Sequence, residues 1–161
     1  MIRGITMKNP AFQLAMIALF GALGWCSAAA ALPASEVAIT RSEADKALQW
    51  GGCPPIFPAG CQISVLHGDP AQPNADIFLR VPGGLELANH THTSAERIVL
   101  VSGKLQVQYQ GQAPATLQAG DYAYGPAGLP HTAKCLSRAP CTLFIAFEQA
   151  VDANAYPAPK N

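Results

Sequence analysis

The chain has 161 residues, as many acidic as basic side chains, and only 12 % charged residues, about half the usual share for a soluble domain. That length suits one folded domain. With no basic excess and no basic run, a nucleic-acid partner is not expected.

The first 31 residues differ from the rest. Arg3 and Lys8 give a positive start, an apolar run follows from Leu14 to Leu23, and Ser27 to Ala31 are small. Together these describe a secretory signal peptide, residues 1–31, with cleavage expected after Ala31 and a cut after Ala29 as the alternative. The apolar run is shorter than the ~20 residues a spanning helix needs. An uncleaved anchor is the competing reading. Cys26 follows Leu23 and Gly24 as a lipidated cysteine would, but bulky Trp25 stands where a small residue is wanted. The expected location is periplasmic or secreted, with no stable membrane span after processing. Losing Arg3 and Lys8 leaves the mature chain mildly acidic.

Residues 32–61 read as an N-terminal arm. Val37 to Thr40 suits a short strand. Ser42 to Asp45 resembles a capping box, which predicts a helix from Glu43 to Trp50. Gly51, Gly52, Pro54 and Pro55 would stop it. Outside the leader the cysteines are Cys53, Cys61, Cys135 and Cys141, an even count that suggests disulfides in an exported chain. The local pairing Cys53–Cys61 and Cys135–Cys141 is expected because each closes a short, turn-compatible loop. The other connectivities stay open on sequence alone.

Residues 62–150 read as short strands between turns. Ile63 to His67 is followed by Gly68-Asp69-Pro70, and Ile77 to Val81 by Pro82-Gly83-Gly84. Arg97 to Val101 is nearly continuous apolar sequence, expected to be well buried. After Ser102-Gly103, Lys104 to Gln110 alternates strictly, so Leu105, Val107 and Tyr109 should face inward. Asp121 to Tyr124 and Thr142 to Phe147 complete the set. No helical periodicity follows Gly51, and the pattern predicts an all-β sandwich or barrel. Residues 151–161, with two prolines, are expected to form a loose tail.

Of four histidines, three lie in two glycine-punctuated blocks with Glu96. His90 and His92 are two apart, so in a strand both point to one side. Glu96 keeps the same parity in extended chain, and His131 must arrive from elsewhere. Three imidazoles and one carboxylate suit a divalent transition metal. The competing reading of Glu96 is a surface carboxylate paired with Arg97. His67, outside both blocks, is read as structural or superficial.

Gly84, His90, His92, Glu96 and Gly103 stand at the spacing of the first cupin signature, and Gly120, Pro126, Gly128 and His131 at that of the second. The chain therefore resembles the cupin superfamily. Cys135 departs from the pattern, standing where the second signature ends in asparagine. The resemblance implies a single-domain antiparallel β-barrel of jelly-roll type. It implies one divalent transition metal (Fe, Mn, Ni or Zn) held by His90, His92, Glu96 and His131, and a homodimer formed by sheet extension. A metalloenzyme of dioxygenase-like type, acting on a small oxygen-bearing organic molecule, is the leading expectation, with metal-dependent isomerisation also within its chemistry. The alternative is a non-catalytic module binding a carboxylate or sugar, with the metal structural. Leu105, Val107, Tyr109, Tyr122 and Phe147 are expected as lining or core. Beyond the ligand set no general base stands out: Glu86 and Asp121 qualify only by charge, and both are expected to face solvent.

Overall fold

A computed structural model of the chain describes residues 38–157. The signal-peptide segment 1–31 and Val37 lie outside the described residues. Among the described residues there is no helix, and none long and apolar enough to cross a membrane. The strands are β1 (Gly51–Gly52), β2 (Gln62–His67), β3 (Asp76–Val81), β4 (Glu86–Thr91), β5 (Glu96–Ser102) and β6 (Lys104–Tyr109). They continue with β7 (Ala115–Gln118), β8 (Tyr122–Gly125), β9 (His131–Cys135), β10 (Cys141–Phe147) and β11 (Asn154–Ala155).

They form two sheets, ordered β1-β2-β3-β10-β5-β8 and β11-β4-β9-β6-β7, with every pairing antiparallel. This is an all-β jelly roll: the pattern of short strands and turns predicts a sandwich or barrel, and the cupin resemblance implies the jelly-roll form. Ile77, Leu79 and Val81 of β3, Ile98 and Leu100 of β5, and Leu143 and Ile145 of β10 face the interior. They meet Leu87, Leu105, Val107, Leu117 and Ala133 from the other sheet. Each fully buried Leu or Ile contributes about 1.5–3 kcal/mol, so this seam dominates the stability of the barrel.

Strand β6 follows its sequence alternation, burying Leu105, Val107 and Tyr109. Strand β5 differs from expectation. It is not buried throughout: Glu96, Ile98 and Leu100 point in, Arg97 is exposed and Val99 half-buried. Only one face of this sheet meets the core, so even a near-continuous apolar run divides into two faces. Gly103 makes the β5–β6 reversal at φ 92°, and a Cβ there would lie 2.8 Å from Cys141 Sγ. Positive φ and the lack of space both require glycine.

The arm corrects the helix expected over Glu43–Trp50. Two successive turns form instead, Asp45 N to Ser42 O and Leu48 N to Asp45 O, while Asp45 Oδ1 accepts from Ala47 N. The aspartate side chain competes for an amide that a helix would use. Tertiary contacts also hold the arm extended: Ser102 Oγ donates to Glu43, Arg80 donates to the Glu43 carbonyl and lies over the Trp50 ring, and Leu48 is buried. Residues 38–40 are not a strand, and the glycines expected to stop a helix pair with β2 as β1.

Disulfides join Cys53 to Cys61 and Cys135 to Cys141, with Cα separations of 5.4 and 5.7 Å. The first closes a loop over one end of the barrel; the second ties the end of β9 to the start of β10. The tail also departs from expectation. Asn154 and Ala155 pair with Thr91 and His90, and Tyr156 N donates to Asn89 O. Residues 154–156 are strapped along β4, while 158–161 lie outside the described residues.

Candidate metal centre

The second sheet carries the three imidazoles. His90 lies on β4 opposite His131, the first residue of β9. Leu87 and His90 both face inward although they stand three positions apart. Plain alternation forbids this, and a register shift between them supplies the extra residue. His92 follows β4 directly and returns to the inner side. Glu96 comes from the other sheet as the first residue of β5. The alternative role for Glu96 fails, because Arg97 points outward and pairs with Glu148.

The ring centroids of His90, His92 and His131 lie 4.2 to 5.3 Å apart, and their nearest nitrogens fall within 4.8 Å of one another. Glu96 Oε1 is 3.3 Å from His92 Nε2, and Oε2 is 3.4 Å from His131 Nε2. All four side chains are buried.

Each imidazole is fixed by a backbone carbonyl. Nδ1 of His90 donates to Ala88 O at 2.7 Å, that of His131 to Leu129 O at 3.1 Å, and that of His92 to Asp152 O. With Nδ1 protonated, Nε2 keeps a free lone pair, and for His92 and His131 that atom faces Glu96. Burial, with His131 nearby, lowers the His90 pKa to about 3; burial lowers that of His131 to about 4 and also depresses His92. All three are therefore neutral at physiological pH, the state in which imidazole ligates metals. Burial, reinforced by the Asp152 carboxylate, raises Glu96 to about 8.

His92 Nε2 and Glu96 Oε2 are fully buried and lack hydrogen-bond partners. Leaving such atoms unsatisfied costs about 1–3 kcal/mol each. A divalent cation between them would satisfy both and restore the carboxylate charge, so the donor set fits such an ion. Tyr109 Oη, also buried and without a partner, is close by. A Cβ on Gly125 would come within 3.1 Å of Glu96 Oε2 and 3.3 Å of Tyr109 Oη, so glycine makes room for both. Burial and then Glu96 push the Tyr109 hydroxyl pKa upward, keeping it protonated.

These donors open into a cavity of about 70 Å³ walled mainly by aliphatic side chains from both sheets. Phe57, on the loop closed by Cys53–Cys61, packs edge-on to His90 with centroids 4.7 Å apart. Val151, Asp152 and Ala153 line the same cavity. Thr93 N donates to Asp152 Oδ1 and Asn154 Nδ2 to Oδ2, both at 2.9 Å. Partial burial works against ionisation of Asp152, but these hydrogen bonds outweigh it and the pKa is lowered.

Other candidates lie apart from this centre. His67 is exposed at the end of β2, and Glu86 is exposed on β4. Asp121 is exposed and accepts from Gln118 N in a turn. Leu105 and Val107 line the cavity with Phe147, whereas Tyr122, expected as lining or core, is 57 % exposed on β8. That strand is the sheet edge, and among the described residues its Tyr122 face has no layer above it. Phe57 and Asp152 were not among the expected site residues. Neither carries a local signal, since each joins the centre only through contacts distant in sequence.

Comparison with known proteins agrees with this architecture. Residues 43–151, more than half the chain, match the family described as ChrR Cupin-like domain. A search of the curated proteins found no match. Among solved structures, the DMSP lyase DddQ from Ruegeria pomeroyi DSS-3 superposes with a TM-score of 0.60 at 18 % identity, over 71 % of this chain and 64 % of that one. An RmlC-like cupin from Shewanella frigidimarina NCIMB 400 gives 0.52 at 22 % identity, over 59 % and 81 %. A point mutant of the Bacillus subtilis oxalate decarboxylase OxdC gives 0.53 at 19 %, over 64 % and only 30 % of that chain. At these identities the likeness is one of fold. The chain belongs to the cupin superfamily, within the family described as ChrR Cupin-like domain.

Proposed function

We propose that this protein is an exported metal-binding cupin in which His90, His92, His131 and Glu96 hold one divalent transition ion, and that it acts as a dioxygenase-like metalloenzyme on a small oxygen-bearing molecule. The observation that carries this reading is the buried, partnerless pair His92 Nε2 and Glu96 Oε2 beside two further carbonyl-locked imidazoles. When bound, the ion would supply Lewis acidity and open positions for a ligand or dioxygen. The chain's own contribution is orientation and dryness. Ala88, Leu129 and Asp152 carbonyls hold the rings, and the aliphatic wall excludes water. Tyr109 lies behind Glu96 as a positioning residue, its hydroxyl protonated and able to donate.

A second reading, a non-catalytic module in which the ion fixes the barrel, is favoured by one observation. Apart from the four proposed ligands, only Asp152 among the lining residues carries an ionisable group. Iron loading separates the two. Oxygen consumption, or a spectral change on adding nitric oxide, supports the enzyme; an iron site silent to both supports the module. Metal analysis of protein isolated from its own compartment tests the shared premise. The expected result is one transition ion per chain, and a protein that also refuses added Fe, Mn, Ni and Zn defeats it. A homodimer formed by sheet extension belongs to the same reading, and light scattering of the purified protein tests it. Amino-terminal sequencing tests export, with a start at Leu32 expected.

A further inference from the structure

The charges around the cavity restrict what it can hold. No Lys or Arg is among the described lining residues, and each of the three imidazoles spends its Nδ1 hydrogen on a backbone carbonyl. The lining carboxylates are Glu96, in the donor cluster, and Asp152, on the C-terminal strap. Asp152 is held by Thr93 and Asn154, so its charge stays with the cavity. The two positive charges of a bound ion would be balanced by these two carboxylates. A site of three neutral imidazoles alone would be left strongly positive and would recruit an anion; this one needs none. An incoming carboxylate would also meet the half-buried Asp152 carboxylate at the cavity's rim, where like charges repel. The remaining wall is hydrocarbon, with Ile77, Leu79, Leu105, Val107, Leu143 and Ile145 as its main surface. A cavity of about 70 Å³ has room for roughly five water-sized positions.

We infer that the cavity takes a small uncharged molecule with a hydrocarbon body and one oxygen-bearing end, and that Asp152 is the specificity-determining residue that turns carboxylates away. This deepens the metalloenzyme reading and, for the loaded state, rests on it. It differs from the carboxylate-binding expectation, which the cavity's charge disfavours.

The test compares 2-butanone with propionate, two probes of matched size that differ in charge. Binding is measured on the mature chain, metal-free by ligand-observed NMR and cobalt-loaded by visible absorption. Wild-type protein is expected to bind 2-butanone roughly tenfold tighter than propionate, and Asp152→Asn to narrow that ratio by strengthening propionate alone. Asparagine keeps the size and the acceptor for Thr93 N, so an unchanged thermal midpoint identifies a properly built variant. Propionate binding as tightly as 2-butanone, no 2-butanone binding to either form, or an equal response of both probes to Asp152→Asn overturns the inference. If cobalt is refused while the metal-free protein still prefers 2-butanone, the metal reading fails and the assignment of ligand class stands.

Discussion

The centre is built from two kinds of sequence. His90, His92, Glu96 and His131 sit on or beside strands of the barrel wall, at spacings that strand geometry converts directly into direction. Phe57 and the Val151–Ala153 segment, which cover the same cavity, come from an arm loop and a tail. The wall follows local periodicity. The cover depends on a disulfide, on backbone bonds to Pro70 and Asn89, and on pairing with β4, all made between residues distant in sequence. A site can thus have donors that are legible in a motif and selectivity that is not.

Four experiments probe that division, beginning where the wall should matter most. His90→Ala or His131→Ala should raise the dissociation constant for the ion by 100-fold or more, by order of magnitude from lost ligand bonds, with the far-ultraviolet β signature kept. Retained metal in both variants would remove the wall from the chemistry. The proton linkage comes next. Metal-free Glu96 titrates near 8, so below that pH the ion must displace its proton. Affinity should climb about tenfold per pH unit towards pH 8 and then level off, and Glu96→Gln should flatten the slope. The same group acts on folding with the opposite sense. Its pKa rises from 4.5 unfolded to about 8 folded, which favours lower pH, but the three imidazoles, lowered from 6.5, act the other way and outnumber it, so the metal-free protein should gain stability up to about pH 6.5 and lose it from there to about 8. Chemical denaturation with and without a chelator reads both signs.

The cover should respond more weakly. Replacing Cys53 and Cys61 by serine should lower stability by about 2–3 kcal/mol and speed metal release to a chelator, while equilibrium affinity changes less than in the histidine variants. Faster release without weaker equilibrium binding would mark the loop as a cover rather than a donor. Smallest of all, Glu86→Ala should move stability by less than about 0.5 kcal/mol and leave metal content unaltered. A measurable loss of the ion would mean that the exposed outer face of β4 matters to the inner one.

The all-β architecture and the inward side of β6 were readable because alternation with a period of two survives wherever one face meets the core. The helix expected in the arm was misleading for a physical reason: Ser42 and Asp45 have the chemistry of a cap, but the same chemistry makes isolated turns, and contacts from Glu43, Leu48 and Trp50 chose the turns. Strand β9 was hidden by the proline-rich loop that leads into it, Pro126 to Pro130, and β11 by being too short to have a pattern. Asp152 offered no sign at all, since an acidic residue near a chain end is ordinarily a solvated one.

The carbonyl of Asp152 that steadies the His92 ring lies just before the last paired stretch of the described chain. In vectorial synthesis the histidines emerge well before their clasp. A cation captured early would meet an imidazole still free to rotate, and could exchange with whatever ions surround it. Only when residues 152–156 dock does that ring lose its freedom, so the proposed centre would reach its final geometry at the last stage of folding.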